Sequence, residues 1–109
     1  MGFFGFLGTK ELEQFANGMA ADLTRRFPPK SESRTDAGAQ HQLKVILDGI
    51  GARAIRYRDE KKLGVYGKAK MANSFKWRLS EAGYSKEFVE TATKNIVTRL
   101  AATPNVEQK

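Results

Sequence analysis

The chain has 109 residues, 40% of them hydrophobic, and its 19 basic and 12 acidic side chains give a formal net charge of +7. This length suits one domain with a modest core, and the absence of cysteine excludes disulfides and thiolate metal sites. No apolar run approaches the roughly 20 residues that a membrane-spanning helix needs, so we expect a cytoplasmic protein without a transmembrane segment.

Residues 1–8 form an apolar segment that Gly8 separates from the first predicted helix. Phe3, Phe4, Phe6 and Leu7 make it dense in large hydrophobic side chains. These side chains either fold back and complete the core, or stay exposed and bind a protein partner or a membrane surface.

Two helices are predicted in the first half of the domain. The first is capped by Thr9, carries apolar residues every three or four positions and ends at Pro28-Pro29, and residues 28–39 then read as a flexible loop. Asp36 caps the second helix. Gly49 and Gly51 interrupt its apolar stripe, which predicts one helix, straight or kinked, that a neighbouring backbone approaches closely at these glycines; the alternative is a break at Asp48. The heptad-like stripe also suits a homodimer.

Two further helices complete the prediction. A third helix follows Gly67 and ends at Gly83, and Ser85 caps a fourth helix that stops before Pro104, leaving a tail at 104–109. Each helix has one apolar face and no alternating strand pattern is visible. The predicted fold is therefore an all-α, single-domain bundle of about four helices over residues 9–103.

The excess positive charge is concentrated in residues 53–78, which carry nine basic and two acidic side chains. The segments on either side each carry equal numbers of basic and acidic side chains. A concentrated positive field attracts an anionic partner. The basic residues of this segment are Arg53, Arg56, Arg58, Lys61, Lys62, Lys68, Lys70, Lys76 and Arg78.

The third helix carries a column of residues that suits nucleic acid. Tyr66, Lys70, Asn73 and Trp77 stack along one side of the helix, opposite Phe75. Aromatic rings can stack on bases, Asn73 can hydrogen-bond a base edge and Lys70 can neutralise phosphate. The alternative is that Tyr66 and Trp77 are buried between helices as a second core contact.

Two local patterns give weaker signals. Gly64-Val65-Tyr66-Gly67-Lys68 could seat a phosphate at a helix start, or be an ordinary helix cap and turn. The third and fourth helices could form a DNA-reading helix-turn-helix or an ordinary helical hairpin. Acidic residues at the start of the fourth helix favour the hairpin, because they would repel phosphate.

Enzymatic chemistry finds little support. His41 stands alone between two glutamines near a helix start, and no metal-ligand cluster or nucleophile motif is visible. We therefore predict a binding protein that is not an enzyme and needs no cofactor.

Nucleic-acid binding is the leading functional prediction, through a basic surface from residues 53–78. Its partner would be DNA or RNA, with Tyr66, Asn73 and Trp77 joining the nine cations. The alternative is an interaction module or adaptor that docks through residues 3–7 or an exposed helix face onto an acidic protein. The leading prediction requires the cations to converge on one solvent-facing surface without pairing with carboxylates from distant segments.

Overall fold

Within residues 2–102, four α-helices and one short 3-10 helix make up the fold. The computed structural model describes the backbone of residues 2–102 and the side chains of residues 9–102. The helices are α1 (Gly2–Arg26), α2 (Ala37–Lys61), α3 (Val65–Ala82) and α4 (Lys86–Ala102), and the 3-10 helix is Pro29–Ser33. Residues 2–102 contain no strand, and the predicted all-α bundle is confirmed. None of the helices described is long and apolar enough to cross a membrane.

The predicted caps of α2 and α4 are confirmed. The Asp36 carboxylate accepts a hydrogen bond from the backbone N–H of Ala39 at 3.0 Å, and Ser85 Oγ accepts one from the N–H of Phe88 at 3.1 Å. Glu32 completes the second cap, since its carboxylate accepts from the Ser85 N–H at 2.8 Å and from the Ser85 hydroxyl at 2.6 Å. In a capping box the carboxylate comes from the same helix. Here the 3-10 helix supplies it.

Two predicted helix starts are wrong. α1 begins at Gly2, so Thr9 lies inside it and caps nothing, and α3 begins at Val65, so Gly67 lies in its first turn. The side chains of Phe3, Phe4, Phe6 and Leu7 are outside the described residues, as is the tail at 104–109. The predicted loop at 28–39 contains the 3-10 helix, and its last three residues belong to α2.

α2 runs without interruption through its two glycines, but the predicted approach of a neighbouring backbone is wrong. A Cβ atom at Gly49 would meet open space, whereas one at Gly51 would collide with the side chain of Arg99. Arg99 crosses at Gly51 to form an ion pair with Asp48 and to donate to Asn95 Oδ1 at 2.8 Å. The glycine makes room for an arginine that joins α2 to α4.

The order of the helices around the bundle places α2 and α3 across from each other. α1 packs against α3 and α2, and α4 packs against the same two helices. α1 and α3 run in the same direction, because Glu13 in the middle of α1 pairs with Lys70 near the start of α3, while the Tyr84 hydroxyl donates to the Phe27 carbonyl oxygen just beyond the ends of both helices. The basic segment 53–78 is therefore divided between two helices that are not neighbours.

Among the side chains of residues 9–102, the core is a single apolar cluster with one buried cation. Its largest fully buried apolar side chains are Met19, Leu23, Ile46, Ile50, Met71, Phe75, Leu79 and Ile96. Arg58 is only 1% exposed, and its guanidinium donates to the Leu100 carbonyl oxygen at 2.7 Å and to the Asp59 carboxylate at 2.8 Å. Arg58 thus satisfies a carbonyl in the last turn of α4 and ties α2 to that helix.

Candidate functional site

The column predicted on α3 is a solvent-facing surface. Tyr66 is 72% and Trp77 is 62% exposed, and Asn73 is also exposed, while Lys70 is half-buried beside α1. The alternative that the two rings are buried as core contacts is therefore wrong. A tryptophan left this far in solvent is unusual, since most of its large apolar surface is normally covered.

A groove between α1 and α3 runs beside this surface. One part, of about 340 Å³, is lined by Lys70, Asn73 and Trp77 of α3 together with Glu13 of α1. A second part, of about 550 Å³, extends towards the end of α1, where Arg25 lines it. Asn17, Arg78 and Glu81 line both parts. The groove therefore leads from the exposed ring of Trp77 to the last turn of α1.

The nine cations of residues 53–78 do not form one surface. Arg58 is buried in the core and is not available to a partner. Lys68 lines a depression between α3 and α4, whereas Lys70, two residues later, lines the groove between α3 and α1. Positions two apart on a helix point in different directions, and this divergence separates the two lysines.

Several of these cations pair with carboxylates, three of them from distant segments. Arg53 binds Asp22 at 3.2 Å, Lys61 binds Glu11 at 3.5 Å and Lys70 binds Glu13 at 3.1 Å. Arg78 pairs with Glu81, one turn away on its own helix, at 3.2 Å. Within residues 9–102, no carboxylate lies within 4.0 Å of the remaining four, which are Arg56, Lys62, Lys68 and Lys76. The requirement for a single unpaired basic surface is not met, so the nine cations together do not support the prediction of nucleic-acid binding, and a proposal for that ligand has to be argued from other features of the surface.

A cluster of three arginines around Asp22 was missed by the sequence prediction. Arg25 forms an ion pair with Asp22, and Arg26 and Arg53 approach the same carboxylate at 3.4 Å and 3.2 Å. We call Asp22, Arg25, Arg26 and Arg53 the arginine cluster. Its three cations and one anion leave a local charge of +2. The pair Arg25-Arg26 was the available signal, but by itself it indicated only a favourable helix end.

The helix-turn-helix pattern takes its ordinary form as a hairpin, whereas a phosphate seat at the start of α3 stays a prediction. Gly64-Val65-Tyr66-Gly67 is the cap and first turn of α3, and the left-handed residue that ends α2 is Lys62, with φ 52°. α3 and α4 form an antiparallel hairpin, since Val65 near the start of α3 and Ala101 near the end of α4 line the same depression. Gly83, at φ 106°, makes the turn, and buried Tyr84 follows it.

Two titratable side chains of α2, Asp48 and His41, lie outside this region. Asp48 accepts hydrogen bonds from Lys44 and Arg99, and these lower the pKa of its carboxyl group, with the Lys44 bond as the larger cause. His41 is exposed on α2. The side chains that the structure describes contain no group of three or more residues able to hold a metal ion. The lack of enzymatic activity stays a prediction.

One apolar depression lies on another side of the bundle. It measures about 290 Å³ between the start of α3 and the end of α4 and is lined by Val65, Ala69, Val97 and Leu100, with Lys68 at its edge. Val65 is 83% and Val97 is 45% exposed. The adaptor prediction requires an exposed helix face, and this depression is a candidate for it.

Comparisons with known proteins give no relative from which to argue. No protein-family model and no curated protein matches the sequence, and no solved structure matches the fold at a significant level.

Proposed function

We propose that this protein binds nucleic acid through the exposed face of α3 and the groove between α3 and α1. The observation that carries the proposal is the exposure of Tyr66 and Trp77 on one side of α3, with Lys70 and Asn73 between them. Residues 66 and 77 are eleven positions apart, which is about 16 Å along a helix axis. The rings can therefore stack on bases several nucleotides apart.

The chemistry of the groove fits this ligand. Asn73 and Asn17 offer amide groups that can hydrogen-bond base edges, and Lys70 and Arg78 offer cations for phosphate. Glu13 and Glu81 hold those two cations in place through their ion pairs. A phosphate would compete with each glutamate for its cation, so these pairs limit the affinity and fix the positions of the charged groups.

The proposed contact set is narrower than the one that the sequence predicts. Tyr66, Lys70, Asn73, Trp77 and Arg78 are the direct contacts, and Arg58 is removed because it is buried. The exposed cations outside the groove contribute to the long-range field that speeds encounter with a polyanion. They are Arg53, Arg56, Lys61, Lys62 and Lys76, and the half-buried Lys68 adds to the same field.

The test is a fluorescence-anisotropy titration against labelled DNA and RNA pools at about 50 mM and about 200 mM salt. We expect binding that weakens with salt and tightens several-fold in Glu13→Gln, since this change releases Lys70 for phosphate. Lys61 forms a comparable pair with Glu11 of α1 away from the groove. Glu11→Gln is therefore the matched control and should tighten binding less. Failure of both pools to bind at about 50 mM salt would refute the proposal.

A protein partner is the second candidate, and the apolar depression beside Val65 favours it. Its lining is apolar apart from Lys68, so a partner with an apolar side chain and a neighbouring acid would fit. The predicted role of Phe3, Phe4, Phe6 and Leu7 in such docking, or at a membrane surface, concerns side chains outside the described residues. If the protein binds neither DNA nor RNA in the titration, a protein partner remains as the candidate.

A further inference from the structure

We infer that the arginine cluster of Asp22, Arg25, Arg26 and Arg53 binds the phosphates of a single-stranded nucleic acid whose bases stack on Trp77. The inference rests on the proposed function and extends it in two respects. It adds a phosphate site on α1 and α2 that lies outside α3, and it commits to unpaired strands as the ligand.

The cluster keeps most of its hydrogen-bonding capacity for a ligand. Each guanidinium carries about five N–H donors, and one carboxylate accepts about four hydrogen bonds. Asp22 can thus occupy only a minority of the donors on Arg25, Arg26 and Arg53. The three arginine side chains are 44–66% exposed, so their remaining donors face solvent.

The cluster is also held in place before any ligand arrives. The Asp22 side chain is only 15% exposed, and it draws together two arginines from the end of α1 and one from α2. Converging guanidinium groups that are already ordered lose less conformational entropy on binding. Arg56 follows Arg53 by one turn of α2, is exposed, and has no carboxylate within 4.0 Å among the side chains described. It enlarges the positive surface.

Arg25 links the cluster to the groove, because it binds Asp22 and also lines the part of the groove that Arg78 shares. α1 and α3 run in parallel with Glu13 level with Lys70, so Trp77 is level with Ala20. Arg25 lies five residues further along α1, which is about 8 Å. This short axial offset allows one strand to contact both Trp77 and Arg25.

The exposed rings favour a single strand over a duplex. A ring such as that of Trp77 stacks on the face of a base, and inside a duplex both faces of each base are covered by neighbouring bases. A strand with unpaired bases can place a base on Trp77 and lead its backbone across Arg25 onto Arg26 and Arg53. A duplex would meet the same cations without using the ring.

The experiment compares an oligonucleotide of about 12 nucleotides, as single-stranded DNA, single-stranded RNA and duplex DNA, at several salt concentrations. The test variant is Arg25→Ala with Arg26→Ala. The matched control is Lys86→Ala with Lys94→Ala, which removes the same charge from two exposed side chains of α4. We expect the test variant to bind single strands about tenfold more weakly at about 50 mM salt, with the slope of log K against log salt reduced by about 0.7 for each lost contact. The control should keep the slope.

A third variant separates ligand binding from a merely structural role of the cluster. Asp22→Asn removes the charge that competes with phosphate, and we expect it to tighten binding while the arginine variant weakens it. Equal slopes for the test and control variants, or duplex binding as tight as single-strand binding, would overturn this inference and leave the proposed function standing. Absence of binding to all three oligonucleotides would overturn both.

Discussion

Trp77 offers the sharpest single test, because its ring is proposed to stack on a base and contributes little to the fold. Stacking of one base on an aromatic side chain is worth about 1–3 kcal/mol when the ring is removed. Trp77→Ala should therefore weaken single-strand binding by about 5-fold to 150-fold. Trp77→Phe retains a smaller ring and should recover part of the loss.

The structure also limits the cost of this change to stability. Trp77 is 62% exposed, so about two-fifths of its surface is covered. That corresponds to about 80 Å² for a large aromatic side chain, and to at most about 2 kcal/mol of the free energy of unfolding. Urea denaturation should show that Trp77→Ala remains a cooperatively folded protein at the temperature of the binding assay.

The assay can use the native chain directly, because Trp77 is its only tryptophan. Stacking on a base should quench the intrinsic fluorescence in step with the anisotropy of a labelled oligonucleotide. Val65→Ala is the matched control, since Val65 is another exposed apolar residue of α3 and lines the other depression. Full-affinity binding by Trp77→Ala, or binding without any change in Trp77 fluorescence, would refute the stacking argument.

Three further predictions concern stability. Lys62→Gly should raise the free energy of unfolding by about 0.5–1 kcal/mol, because Lys62 ends α2 in the left-handed region at φ 52°; Lys62→Ala should show no gain in the same urea titration. Arg58→Met should lower the free energy of unfolding by about 1–3 kcal/mol, because the buried Leu100 carbonyl oxygen loses its hydrogen-bond donor. A free energy of unfolding within about 0.5 kcal/mol of the parent protein would contradict this prediction. The pKa of the Asp48 carboxyl group is lower in the folded state than its ordinary value of 3.8, so its ion pairs stabilise the fold fully above pH 3.8. This stabilisation is lost as the pH falls through the pKa of the folded state, and acid unfolding of Asp48→Asn should lack this pH-dependent loss of stability.

Local features of the fold could be predicted because they depend on residues close together in the chain. Asp36 and Ser85 cap their helices through the backbone N–H three residues ahead, and such caps can be recognised from the sequence. The apolar residues at spacings of three or four marked the buried faces correctly. The start of α1 was predicted wrongly because the same local rule was applied to Thr9. Thr9 has the side chain of a typical cap, but the helix continues on both sides of it.

The candidate site could be predicted only in part. The column on α3 followed from helical spacing, but whether Tyr66 and Trp77 were buried depended on which helices pack beside α3. The arginine cluster could not be predicted, since Asp22 and Arg53 are 31 positions apart and meet only because α1 and α2 are neighbours. Arg58 shows the same limit, because its burial follows from a carbonyl on α4 that lies 42 positions away.

The sequence by itself determined the number and type of the helices, their apolar faces and the excess of positive charge in residues 53–78. The tertiary structure decided where that charge lies: one cation is buried, others are bound to carboxylates of α1, and the basic segment is divided between two helices across the bundle. The physical reason is that helix formation and capping depend on local hydrogen bonds, whereas the net charge of a surface depends on which side chains meet when distant segments pack.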